Sequence, residues 1–214
     1  MLTSSANFAA GRQIGRSARD VPLDTALQKR SDYRARATRP LDSPKSLDLR
    51  RIDLNCLFWK ESSIKMYEDP GFFRLLTESY KRLLGRSLVP ESISTASAAR
   101  WLYEHAPFGV LAHTPDADPI FMYGNRAAQR RFEYSWEEIV CLPSRLSAEA
   151  PNREERQQFL DRVTREGYSS GYKGVRVTKS GRRFLIEDAT LWQLLDERGT
   201  LHGQAVIIPK TTDL

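Results

Sequence analysis

The chain has 214 residues, 40% hydrophobic and 28% charged, which suffices for one ordinary domain with an appendage and excludes a multidomain enzyme. Its formal net charge of +6 would suggest nucleic acid, but residues 1–50 carry ten Lys and Arg against five Asp and no Glu, whereas residues 66–214 carry twenty of each sign. The basic character belongs to the leading segment, so the remainder offers no phosphate-binding footprint and no nucleic-acid partner is expected.

Apolar runs such as 108–112 and 205–209 fall far short of the roughly 20 residues that span a bilayer, so no membrane partner is expected. Cys56 and Cys141 lie 85 positions apart without CxxC spacing, and no apolar signal core follows Met1. A reducing, cytoplasmic location is the expectation. Residues 1–65 show no sustained period and few large apolar side chains before Leu54, the composition of a disordered or non-native extension. Three readings of it stand open: an organellar transit peptide, against which the five aspartates count; a flexible regulatory tail; or a start placed too early, with Met66 as the native first residue.

Residues 66–106 are read as N-terminal helices. Asp69 as cap, Pro70 at the first position and Phe72, Phe73, Leu76, Tyr80, Leu83 and Leu84 at three- and four-residue intervals predict an amphipathic helix ending at Gly85. Its apolar face exceeds what resting on a small sheet requires, so Phe72, Phe73, Leu76, Leu83 and Leu84 are candidates for a homodimer surface. A second helix over 97–105 carries Trp101 and Leu102 and must stop before Pro107.

The core is read over 107–210. Segment 108–113 is apolar on both faces, as in a central strand, and turn residues 116–119 lead into a second strand over 120–123. Asn125 caps a helix bearing Ala128 and Phe132. Ser135 and Glu138 form a capping box for a short helix ending near Pro143, and Asn152 and Glu155 begin a third with Phe159, Leu160 and Val163 on one face and Gly167 as terminator. Strands over 172–178, 183–195 and 201–208 follow, joined by turns at 179–181 and 196–199. Two strands, a helical insert and three strands predict an α+β domain in which helices cover one face of a five-stranded antiparallel sheet.

That order resembles the PAS fold, and particular residues resemble the MEKHLA family within it. They are Ala106-Pro107-Phe108, His113, Tyr123-Gly124-Asn125-Arg126-Ala127-Ala128, Trp136, Leu142-Pro143-Ser144-Arg145-Leu146-Ser147-Ala148-Glu149, Asn152-Arg153-Glu154-Glu155-Arg156, Gly181-Arg182-Arg183-Phe184, Trp192 and His202-Gly203-Gln204-Ala205. The resemblance spans about 69–209. It implies a sensory or protein-interaction module in stand-alone form; no homeodomain or zipper precedes it here, so the DNA binding of the plant transcription factors that end in this domain does not carry over.

A PAS sheet and its helices can enclose a small-molecule pocket. Light-oxygen-voltage photochemistry needs a thiol in an asparagine-cysteine-arginine motif, and alignment puts Ser144 at the thiol position, Arg145 at the arginine, and Cys141 three residues early. Gln204 lies near the last-strand glutamine of that family, which leaves non-covalent flavin open but not favoured. Haem would want a histidine on the insert, where none occurs, and His105, His113 and His202 fit no metal spacing. No metal is expected and the cofactor is left unknown. Phe121, Tyr123, Asn125, Trp136, Tyr172 and Trp192 either line a cavity or fill a core. Asp188 shares parity with Phe184, Ile186 and Trp192, so it is expected to be buried and paired with Arg145 or Arg176. Arg145, after Pro143 and Ser144, suits either an anionic group or a local acid. Glu187 and Asp188 point apart and Ser144 has no base nearby in sequence, so nothing requires catalysis. The expected function is a sensor of a small organic ligand that signals through its helices. A ligand-free interaction module is the alternative, and an enzyme acting on a small molecule comes third.

Overall fold

Asp69 and Pro70 open the first helix as their chemistry predicts. The computed structural model describes residues 66–148 and 153–214; the 1–65 extension and the Asn152 cap lie outside them. Helix α1 spans Pro70–Leu84, with the Asp69 carboxylate accepting the Gly71 and Phe72 amides at 2.8 and 3.3 Å and Gly85 closing it in the left-handed region. Helix α2, Thr95–Arg100, passes into one π turn, Trp101–His105, and stops ahead of Pro107. Strands β1, Gly109–His113, and β2, Phe121–Gly124, form the expected hairpin. The insert comprises α3, Arg126–Phe132, α4, Trp136–Ile139, a 3-10 turn, Ser144–Ser147, and α5, Arg153–Glu166. The Ser135–Glu138 capping box is present at α4.

Strands β3, Tyr168–Val177, β4, Arg183–Leu195, and β5, Leu201–Ile208, complete an antiparallel sheet in the order β2-β1-β5-β4-β3. A sixth strand, β6, Lys210–Asp213, pairs with Phe184–Glu187 of β4, while β5 pairs with Thr190–Leu195 of the same strand. The sequence reading ends the sheet at Ile208, because a four-residue polar segment shows no usable alternation. Asp188 sits at the junction with φ 55°, a left-handed conformation that aspartate tolerates better than most residues. That kink breaks the two-residue period, so Asp188 is exposed instead of buried beside Phe184 and Ile186, and the expected pairing with Arg145 or Arg176 does not form. Glu187 takes the charge partners: Lys210 at 3.0 Å and Lys173 at 3.3 Å hold its carboxyl below the usual range.

Cross-strand register puts Tyr123, Ala112, Ala205 and Trp192 in one row and Gly124, Leu111, Val206 and Leu191 in the next, which faces the opposite side. The insert covers the second row, as expected. Helix α1 closes the first: Phe72 packs 5.4 Å from Tyr123, Tyr80 meets Trp192 edge-on at 4.9 Å, and the Trp192 indole donates to Ser79 Oγ at 3.1 Å. Phe72 and Leu76 are therefore 2% and 1% exposed. Their burial, worth roughly 1.5–3 kcal/mol each, holds α1 on its own sheet and removes them from any dimer surface. Phe73, Leu83 and Leu84 stay half-buried. The close approach of β5 to β1 rests on Gly203, at φ 148°, where a Cβ would lie 2.1 Å from the His113 carbonyl oxygen.

The insert is clipped to the β3–β4 turn by charge. Glu133, just past α3, accepts from Arg182 Nε at 2.9 Å and from the Ser180 amide at 3.1 Å, and Lys179 Nζ pairs with Glu138. Hydrogen bonds from Ser180, then Arg182, pull the Glu133 carboxyl down to about 2. A carboxyl held below its ordinary value of 4.5 contributes stability that is complete above about pH 5 and is lost as pH falls towards 2. Glu133→Gln should therefore flatten the acid limb of a stability-versus-pH curve while leaving the slope near neutrality unchanged; an unaltered acid limb would contradict this.

Candidate functional site

Between the sheet and the insert lies a partly enclosed cavity of about 40 Å³, lined by Leu111, His113, Phe121, Phe132, Ser147, Phe159, Leu160, Tyr172, Arg176, Ile186, Leu191, Ala205, Val206 and Ile208. Alternation delivers only part of this lining: the irregularity between Ala112 and His113 turns Phe121 towards the cavity while Tyr123 faces α1, the Asp188 kink lets Ile186 and Leu191 share it despite opposite parity, and Ala205 reaches its edge from the neighbouring row. Strands β1, β2, β4 and β5 contribute insert-facing residues; α5 contributes Phe159 and Leu160 from its apolar stripe; the 3-10 turn contributes Ser147.

Strand β3 supplies the polar end. Tyr172, Gly174 and Arg176 alternate along it, with register breaks on both sides of Tyr172. A Cβ at Gly174 would come within 2.5 Å of the Tyr172 hydroxyl, so the missing side chain is what lets the phenol lie along the strand and reach Arg176. Arg176 Nη2 donates to that hydroxyl at 2.9 Å, Nη1 donates to the Val175 carbonyl at 2.8 Å, and the guanidinium lies 5.1 Å from the Tyr172 ring centre. Phe159 packs on the same ring at 4.4 Å.

Of the residues nominated from sequence, Phe121, Tyr172 and Arg176 line this cavity. Tyr123 and Trp136 belong instead to an aromatic cluster with Tyr67 and Tyr103, where burial pushes the Tyr123 phenol far above its ordinary pKa. Trp192 faces α1. Asn125 is a fully buried structural node: its Oδ1 accepts the Val110 and Ala128 amides, and its Nδ2 donates to the Leu102 and Phe108 carbonyls. Ser144 is buried at the start of the 3-10 turn, its amide donating to the Pro119 carbonyl at 2.8 Å. Arg145 pairs with Asp118 at 3.0 Å near the surface. Asp188 is solvent-exposed. Gln204 is buried and donates to Thr164 Oγ1 of α5 at 3.0 Å, leaving its own Oε1 without a hydrogen bond.

Sequence reasoning missed Phe132 and Phe159 as lining residues; both had been placed on buried helix faces, and only the packing shows that those faces meet a gap. Ser147 could act as a nucleophile only if freed, since its hydroxyl donates to the Ser144 carbonyl at 2.7 Å. Among the described residues no three His, Cys, Asp or Glu side chains are grouped to hold a metal ion, and no helix is long and apolar enough to cross a membrane. Cys141 is not a free thiol, so the cysteines no longer argue for a reducing compartment. A water needs roughly 10–15 Å³ of such space, so the cavity accommodates about three. Isoalloxazine or porphyrin would enter only if the insert moved outward.

The strand order and the two-sided cover invite comparison with solved structures. The PAS domain of a protein from Colwellia psychrerythraea is similar over 56% of this chain and 98% of its own, at 15% identity and a TM-score of 0.47. A light-oxygen-voltage domain from a flavin-analogue study of mechanism is similar over 50% of this chain and 77% of its own, at 12% identity and a TM-score of 0.42. No curated protein matches the chain in sequence. The family model described as the MEKHLA domain matches residues 71–212, nearly the whole of the described sheet and its helices, and the chain belongs to the MEKHLA domain family.

Proposed function

We propose that this chain is a non-enzymatic sensory module that holds a small organic ligand between its sheet and insert and passes occupancy through its helices to a partner or a second copy. The observation that supports this reading is the cavity itself. It joins an apolar wall to one polar end, and α5, the helix that covers it, is held among the described residues by a narrow stripe of Phe159, Leu160 and Val163 and by hydrogen bonds from Gln193 and Gln204 to Thr164. Such a helix is inexpensive to displace, so contacts made by a ligand can bias its position.

Native mass spectrometry of the purified full chain, followed by a thermal-shift screen of small metabolites, tests the proposal. A ligand present at 100 times its Kd should stabilise the fold by about 2.7 kcal/mol and slow amide exchange in α5. If no molecule is retained and none shifts the melt, the cavity is only a packing gap, and the ligand-free interaction module takes the place of the sensor.

A further inference from the structure

Among the described residues, the one Arg or Lys that lines the cavity has no carboxylate partner. Arg176 is only 6% exposed. Its contacts are the Tyr172 hydroxyl, the Val175 carbonyl and the face of the Tyr172 ring, all neutral, and among the described residues it makes no ion pair. A guanidinium cannot shed its proton to escape burial as a lysine can. Removed from water beside neutral groups, it carries a desolvation cost that an anion in the cavity would offset. Of its five N–H donors these two bonds use two, which leaves a fork able to take a carboxylate.

We infer that the ligand is a small monocarboxylate, bound through its carboxylate to Arg176 with a short apolar tail against Phe121, Phe132 and Phe159. This rests on the cavity being a ligand site. The charge follows from Arg176 being the one Arg or Lys among the lining residues, which balances one negative charge and not two. The apolar tail follows from the aromatic and aliphatic walls. The size follows from a volume of about 40 Å³, close to that of three waters and suited to an acid of about two to four carbons.

The experiment is a titration of the ¹⁵N-labelled full chain, followed by amide shifts, with sodium propionate and with its neutral isostere propionamide at constant ionic strength. Propionate should give saturable shifts centred on Tyr172 and Arg176, and propionamide should bind about tenfold or more weakly, the share of a charge-assisted contact. Arg176→Met should weaken propionate to a similar extent and leave propionamide unchanged. The comparison on the unaltered chain decides the matter even if that variant folds poorly. Equal binding of propionate and propionamide would overturn the anion assignment while leaving a ligand cavity. Absence of propionate binding while other metabolites shift the melt would also overturn it, without touching the sensor. Absence of binding by anything would remove both. Propionate binding that emerges only after Glu149, Glu154 or Glu155 is changed to Gln would assign Arg176 to an acid of the chain itself and likewise overturn the proposal.

Discussion

Asn125→Ala is expected to lower the unfolding free energy by about 4 kcal/mol. The amide is fully buried and spends its acceptor on two backbone N–H groups, at 2.9 Å to Val110 and 3.0 Å to Ala128, and its donors on two carbonyls, at 3.1 Å to Leu102 and 2.9 Å to Phe108. Truncation leaves three buried backbone groups and the part-buried Phe108 carbonyl unmet at roughly 1–3 kcal/mol each, partly relieved by entering water. The same side chain caps α3, holds the Leu102 carbonyl near the start of the π turn after α2 and fixes the start of β1, so three elements loosen together. Asn125→Asp keeps the two acceptor bonds but turns a charge towards two carbonyls, and should be no better than alanine. Urea unfolding at neutral pH measures both; a cost below about 1 kcal/mol for the alanine variant would show that the node is not structural.

Trp192→Ala should cost about 3–5 kcal/mol, the usual range for emptying a buried aromatic site. Its indole is fully buried on the α1 face, against Tyr80 and hydrogen-bonded to Ser79. Trp192→Phe keeps most of the packing and forfeits that hydrogen bond, for about 1 kcal/mol. Because Trp192 lies across the sheet from the cavity, the phenylalanine variant should bind any cavity ligand as the parent does. A tenfold loss of ligand affinity in Trp192→Phe without a comparable loss of stability would place the site on the wrong face.

Local chemistry carried most of the element boundaries. Asp69 with Pro70, the Ser135–Glu138 capping box, Asn125 ahead of α3 and the two hairpin turns each act through atoms a few residues apart, so no distant contact is needed to read them. The strand apolar on both faces, β1, was read as central, and helices were expected on one face of the sheet; the structure covers both. What covers the second face was not legible: the same apolar stripe on α1 serves equally for a neighbouring molecule or for its own sheet, and only tertiary contact distinguishes the two.

The site was legible only in part, for a similar reason. Tyr172 was nominated as an aromatic and Arg176 as a partner for Asp188; that the two instead meet each other, through the space left by Gly174 and despite a register break beside Tyr172, is shown only by the structure. Asp188 was expected to be buried and paired and is exposed, because one left-handed residue reverses the parity argument, and nothing in an Asp-Ala-Thr triplet announces that turn of the backbone. The sequence by itself determined the order of the elements through β5 and most of the helix ends, since capping and turns are short-range, and its motif residues carried the resemblance to the family that the family model shows; the early start of β3 and the strand β6 were not legible in it. The tertiary structure alone decided which aromatic side chains fill the core and which border a gap, and left Arg176 buried in that gap without an acid among the described residues, since burial and charge pairing depend on neighbours far along the chain.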